Sequence, residues 1–224
     1  SKNLLVTGGA GFIGSNFINH IINKYENVNI YNLDSLTYAG NLENTNEFKH
    51  NSRYKFIHGN ICDFALVSKL FKQYNIDGVI NFAAESHVDN SISNPDIFIE
   101  TNILGVNNLL SIANKFWNYK PFNTKSEFKF ARFHQVSTDE VYGSIEKGSF
   151  DELSSYNPNS PYSASKASAD LLVRSYNKTY GLNTSISISS NNYGKNQNIE
   201  KLIPKSISLI SKDNSVPLYG SGKN

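Results

Sequence analysis

A short apolar run, Asn3 to Thr7, breaks into Gly8-Gly9-Ala10-Gly11-Phe12-Ile13-Gly14. Apolar residues then recur at 12, 13, 17, 18, 21, 22 and 25, near the period of a helix. Strand, glycine turn and helix in that order leave few folds open. Small residues let the chain turn tightly and bring its backbone close to a ligand. The helix start after them offers amide donors and positive potential, a combination suited to a pyrophosphate. Asp34 stands twenty residues after Gly14, at the end of the next apolar run. A carboxylate there can accept hydrogen bonds from ribose hydroxyls and repels a 2′-phosphate, so the expected dinucleotide is NAD rather than NADP.

The alternation continues along the chain. Val28 to Leu33, Tyr54 to His58, Gly78 to Phe82, Lys129 to Ser137 and Asn183 to Ser189 have the pattern of strands. Phe64 to Tyr74 and Pro95 to Trp117 have that of helices. A further helix is predicted with Ser160 as its cap and Pro161 in its first turn, running to Tyr180 and stopping at Gly181. Strands alternating with helices predict an α/β fold, a doubly wound parallel sheet of the NAD-binding Rossmann type. Beyond Ser190 the pattern weakens into a polar loop, Asn191 to Asn198, and a helix from Glu200 to Ile210 around Pro204. The expected organisation is an NAD-binding domain with catalytic residues over 1–190, and over 191–224 the start of a small, incomplete substrate lobe.

Composition narrows the function classes. The 224 residues carry 21 basic and 19 acidic side chains, a net charge of +2, with no dense Lys or Arg run, so a nucleic-acid partner is not expected. Cys62 is the only cysteine, which excludes an internal disulfide, and the five histidines lack metal-ligand spacing, so no metal is expected. No apolar stretch approaches a membrane span, and a cytoplasmic protein without a membrane partner is the expectation.

The chemistry concentrates in two segments. Tyr162 and Lys166 stand four apart in Ser-Pro-Tyr-Ser-Ala-Ser-Lys-Ala, which puts phenol and ammonium on one helix face, where the cation is expected to draw the phenol towards ionisation. A cation in the first turns of a helix opposes the macrodipole and needs such a reason to be there. Val136 to Gly143 read Val-Ser-Thr-Asp-Glu-Val-Tyr-Gly, placing Thr138, Asp139 and Glu140 just beyond a strand's C-terminal end, where open parallel sheets bind ligands. Alcohol oxidation alone does not require two extra carboxylates, so further proton transfers are expected.

With Ala83-Ala84-Glu85-Ser86-His87-Val88-Asp89 and Ser190-Asn191-Asn192-Tyr193-Gly194, these segments resemble the nucleotide-sugar 4,6-dehydratases of the extended short-chain dehydrogenase/reductase superfamily, in particular those acting on dTDP-glucose. The resemblance runs from Leu4 to Gly222. It implies catalytic roles for Thr138, Asp139, Glu140, Tyr162 and Lys166. For the cofactor it implies Gly8, Gly11, Phe12, Ile13, Gly14, Asp34, Ser35, Leu36, Thr37, Asn60, Ile61, Phe82, Ala83, Ala84, Ser86, Thr101, Tyr162, Lys166 and Asn192. For a nucleotide-sugar substrate it implies Ser86, Thr138, Asn191, Lys201, Leu202, Pro217, Leu218 and Tyr219.

The implied reaction is a lyase cycle in which NAD is reduced and restored, yielding a 4-keto-6-deoxy sugar. The alternatives are a UDP-glucose 4,6-dehydratase, a nucleotide-sugar 4-epimerase, or a catalytically silent NAD-binding module. Three positions depart from the family pattern. Asn60 stands where an Asp is usual, and Lys195 and Ile199 replace prolines, which is expected to loosen their loop. His87 carries no implied role and reads as a local hydrogen-bonding residue. Relatives continue beyond the point where this sequence stops, so a fragment of a longer chain is expected. Relatives also pair through the helices starting at Pro95 and Tyr162, and the small residues Ala164, Ala167 and Ala169 favour such a homodimer.

Overall fold

The structure is a computed structural model and describes residues 2–217. In chain order, β1 (Lys2–Thr7) leads through the glycine turn into α1 (Phe12–Lys24) and β2 (Val28–Asp34). β3 (Tyr54–His58), α2 (Phe64–Tyr74) and β4 (Gly78–Asn81) follow, then the short helices α3 (Val88–Ser93) and α4 (Pro95–Phe98). A π-helical segment, Ile99–Gly105, joins α4 to α5 (Val106–Trp117). A hairpin of β5 (Asn118–Lys120) and β6 (Asn123–Thr124) precedes β7 (Arg132–Thr138), and α6 (Pro161–Tyr180), β8 (Thr184–Ser189) and α7 (Leu202–Ile210) complete the order.

Six strands form one sheet in the order β3-β2-β1-β4-β7-β8, every pair parallel. The strand order reverses direction between β1 and β4, and open α/β sheets bind ligands in the crevice outside the C-terminal strand ends at such a point. Both faces are covered. Leu5 of β1 and Leu33 of β2 pack with Phe71 of α2, Leu109 and Trp117 of α5 and Val173 of α6, while Val6 and Ile30 pack with Ile18 and Ile22 of α1. Neighbouring residues of one strand thus enter different cores, as the pleat requires, and that is why these strands read as near-continuous apolar runs.

Local chemistry sets the helix ends. Asp63 caps α2 by accepting from Leu66 N at 2.9 Å, and Ser160 forms a reciprocal capping box with Ser163 at the start of α6. Gly181, at φ 68°, ends α6 in the left-handed conformation.

Several predicted elements differ in the structure. The helix expected over Pro95 to Trp117 is interrupted by the π segment. There Asn102 is buried, its amide donating to Glu85 O at 3.0 Å and Ser165 Oγ at 2.8 Å while its carbonyl accepts from Glu85 N at 2.9 Å. A wider turn rotates that amide inward, and π turns concentrate at such sites. β7 begins at Arg132 rather than Lys129, because Ser126–Phe128 closes a 3-10 turn that Ala131 N caps on Phe128 O. The β5–β6 hairpin, α3 and the 3-10 turn Leu42–Thr45 have no periodicity long enough to be read from sequence.

The loop after β8 is not loosened by Lys195. Lys195 pairs with Glu47, Asn16 Nδ2 donates to Lys195 O at 2.7 Å, and Asn196 Nδ2 donates to Ser15 Oγ at 3.1 Å. Amide contacts to α1 and the ion pair to Glu47, in the segment before β3, take the place of the stiffness a proline would give. Among the described residues no helix is long and apolar enough to cross a membrane.

Candidate active site

The dinucleotide cradle is built from backbone. Gly8 has φ 69°, and a Cβ there would lie 2.7 Å from Ala83 N, so the turn and its approach to the β4 loop both need a hydrogen at that position. A Cβ on Gly14 would collide with the Gly8 carbonyl. α1 starts at Gly11 with no side-chain cap, which leaves its first-turn amides available to an anion. Asp34, the last residue of β2 and 8% exposed, accepts from Ala10 N at 2.9 Å and Leu36 N at 2.8 Å, one oxygen each. Each carboxylate oxygen keeps a lone pair for a ribose hydroxyl, so Asp34 fixes the glycine turn and retains capacity for a ligand. Leu36 comes next but one at φ 52°, a strained conformation that bends the loop bearing Ser35 and Thr37 over the sheet edge.

Asn60 follows β3, and its carbonyl accepts from Cys62 N at 2.8 Å, so part of its acceptor capacity closes a turn before α2. Phe82 to Ser86 follow β4, where Ala83 N donates to Thr7 Oγ1 at 3.3 Å. These residues fit an adenine dinucleotide: small and backbone donors stand where phosphates would lie, and a carboxylate stands where a ribose would.

Across the crevice, β7 ends at Thr138, whose hydroxyl caps the 3-10 turn Asp139–Tyr142 by accepting from Glu140 N at 3.3 Å. The turn keeps both carboxylates beside the strand end. Glu140 is pushed above the ordinary carboxylate range by desolvation first and by Asp139 second, with Lys201 opposing. Tyr162, in the first turn of α6 and 8% exposed, rests edge-on to Phe98, ring centroids 6.4 Å apart. Its phenol is pushed up to about 12, mainly by burial and then by Glu140, while the Thr138 hydroxyl pulls the other way.

Lys166 does not draw the phenol down as expected. Its Nζ donates to Val136 O at 2.7 Å, and burial lowers its own proton affinity to about 8, with Asp170 opposing that fall. Desolvation, which disfavours phenolate and ammonium alike, is the largest influence on both groups. Among the described residues no group of three His, Cys, Asp or Glu side chains could hold a metal ion.

A family model described as GDP-mannose 4,6 dehydratase matches residues 5–224. The chain belongs to that family. It is 47% identical over 229 residues to the dTDP-glucose 4,6-dehydratase of Salmonella typhimurium, covering 98% of this chain and 62% of that protein. The same-named enzyme of Neisseria gonorrhoeae is 48% identical over 223 residues, covering 99% and 63%. A crystal structure of dTDP-glucose 4,6-dehydratase from Bacillus anthracis, in complex with NAD, aligns with a TM-score of 0.87 at 41% identity, covering all of this chain and 66% of that one. The chain thus spans less than two thirds of the length of the relatives it matches.

In this member of the dehydratase family, the structure brings Thr138, Asp139, Glu140 and Tyr162 into one electrostatic neighbourhood, with Lys201 facing Glu140, while Lys166 turns its ammonium to Val136 O. Other substrate candidates are not drawn in. Asn191 is exposed, Leu202 is 66% exposed at the start of α7, Pro217 is exposed, and Leu218 and Tyr219 lie outside the described residues. Asn192 turns its amide onto Ser189 Oγ and Ser190 O, both at 3.1 Å. Thr101 sits in the π segment, and Ile61 is buried in the larger core. At His87, Nδ1 is buried with no hydrogen-bond partner among the described residues, and the ring faces Tyr38 edge-on.

Three residues escaped the sequence reading. Asn102 ties the β4 loop to α6, and an amide inside an otherwise apolar helix was its signal. Tyr38, whose hydroxyl lies 3.3 Å from Ser86 Oγ, sits in a loop with no pattern to betray it. Asp170 stands four positions after Lys166, a spacing that alone could have found it.

Proposed function

We propose that the protein of which this chain forms part is a lyase that converts dTDP-glucose to dTDP-4-keto-6-deoxyglucose. The observation that carries this reading is the meeting of two carboxylates, Asp139 and Glu140, with the Tyr162 phenol at the end of β7. Oxidation alone would need the phenol; elimination needs a base and an acid besides. NAD, once bound along the Gly8–Gly14 turn and Asp34, supplies the hydride acceptor at C4 and the hydride donor at C6.

The chain's own groups move the protons. Tyr162 takes the C4 hydroxyl proton, with Thr138 hydrogen-bonded to the same oxygen and Lys166 as the nearby cation. The ketone formed at C4 acidifies C5. Glu140, its proton affinity already raised by burial, removes the C5 proton, and Asp139 protonates the C6 oxygen as it departs as water. Addition of hydride at C6 and return of a proton at C5 complete a product one water lighter than the substrate.

Residues from 191 onward begin the substrate lobe in this reading, with Ser86, Thr138, Asn191, Lys201, Leu202 and the Pro217–Tyr219 stretch towards the sugar nucleotide. The field of Lys201 on Glu140 supports it. A cytoplasmic location fits a chain whose single Cys62 forms no internal disulfide; cell fractionation checks it.

The homodimer remains a proposal on altered grounds. Ala167 and Ala169 are buried within the chain's own cores, so the pairing surface rests on the exposed Ala164 and Leu171 of α6 and Leu104 of the adjoining π segment. Sedimentation equilibrium of the full-length protein at the monomer mass would remove it.

The full-length protein, incubated separately with dTDP-glucose and UDP-glucose and read by mass spectrometry, should give a product lighter by one water, faster from the dTDP sugar. A product of unchanged mass would mean epimerisation. Faster turnover of the UDP sugar would move the substrate assignment.

A further inference from the structure

Lys166 and Asp170 stand one helical turn apart on α6 and face inward together, 5% and 0% exposed. Two charged side chains buried so completely are costly unless each answers the other. Lys166 has one acceptor among its hydrogen bonds, Val136 O at 2.7 Å, and an ammonium has three donors. Asp170 Oδ2 accepts from Ser137 Oγ at 2.6 Å and from Tyr156 Oη at 3.1 Å, while Oδ1 is buried with no hydrogen-bond partner among the described residues. A spare acceptor and spare donors therefore lie on one face of the helix, behind the end of β7 that carries Thr138.

We propose that Asp170 is the counter-charge that keeps the Lys166 ammonium cationic and aimed at the site, a positioning residue that acts through Lys166 without touching substrate. This role deepens the proposed function and rests on its use of Lys166 as the cation beside Tyr162.

The surroundings of Asp170 suit that task. Ser137 belongs to β7, so the carboxylate also pins α6 to the strand whose next residue is Thr138. Tyr156, from the segment before α6, donates to Asp170 and accepts from Arg174 Nη2 at 3.0 Å, and the Arg174 guanidinium lies 4.7 Å over its ring. The charged and titratable groups facing Asp170 are Lys166 and Arg174 on its own helix, Tyr156, and Tyr142 from the turn after β7. The two cations favour its ionised form, and so do the hydrogen bonds from Ser137 and Tyr156. Burial is the largest influence and outweighs them, holding the carboxyl above its ordinary range.

The test reads charge, so it is independent of whether the proposed substrate or reaction is right. In full-length protein labelled with [ε-13C]lysine and [γ-13C]aspartate, NMR titration tracks both groups. Asp170→Asn keeps the size of the side chain and one acceptor oxygen and removes its charge, so the Lys166 midpoint should fall by about one pH unit or more. Ser137→Ala removes a hydrogen bond and keeps the charge, and should move that midpoint much less. In the unmodified protein the Asp170 carboxyl carbon should be ionised at neutral pH and show a second step at the Lys166 midpoint, a result that needs no variant to fold. A Lys166 midpoint unchanged by Asp170→Asn, or an Asp170 carboxyl protonated at neutral pH without that second step, would overturn the assignment.

Discussion

Tyr162→Phe should slow formation of the 4-keto sugar in a single turnover of the full-length protein by about 100-fold or more, since a positioned base typically contributes 10²–10⁴. The ring stays, and with it the edge contact to Phe98, so the thermal midpoint should hardly move. In the absence of ligand the phenol, held at about 12, is protonated at neutral pH, and Glu140 and Asp139 both oppose its ionisation. Proton transfer from C4 must therefore wait until ligand binding has changed that balance. Rapid-quench measurement of the 4-keto sugar checks the prediction, and an unaltered rate would move the base elsewhere.

Glu140→Gln should leave oxidation at C4 intact and stop the elimination of water. The amide keeps the shape of the side chain and cannot take the C5 proton, so loss of water should fall by about 10²–10⁴. A 4-keto sugar that still carries its C6 hydroxyl should then accumulate. Run in deuterated water, the unmodified protein should place deuterium at C5 of its product, whereas sugar recovered from the variant should carry none. Dehydration by the variant at the unmodified rate would show Glu140 to be a bystander. The two variants separate the halves of the reaction: Tyr162 fails before the ketone exists, Glu140 after it.

The cradle and the order of elements were legible in the sequence because they rest on short-range physics. Glycines at 8 and 14 are required where backbone meets backbone, Asp34 ends a strand, and Ser160 with Pro161 opens a helix; each states its local conformation in its own residues. The candidate segments were legible too, since Thr138 to Glu140 stand at a strand's end and Tyr162 and Lys166 lie one helical turn apart.

What those groups do to one another was not legible. The sequence pairs Lys166 with Tyr162, but protonation depends on how much water each group has lost and on what faces it, and only the assembled α6, β7 and turn decide that. Packing against β7 takes the Lys166 ammonium to Val136 O, raises the phenol, and buries Asp170 against Ser137. The π turn that brings Asn102 inward, and the Lys195–Glu47 pair that ties the β8 loop to the segment after the 3-10 turn Leu42–Thr45, likewise join residues distant in sequence. Alone, the sequence determined a parallel α/β sheet with a dinucleotide turn and a phenol, an ammonium and two carboxylates as its reactive groups. Tertiary structure decided which of them lose water and which charges they face, because desolvation and Coulomb terms depend on distances through space that spacing along the chain does not encode.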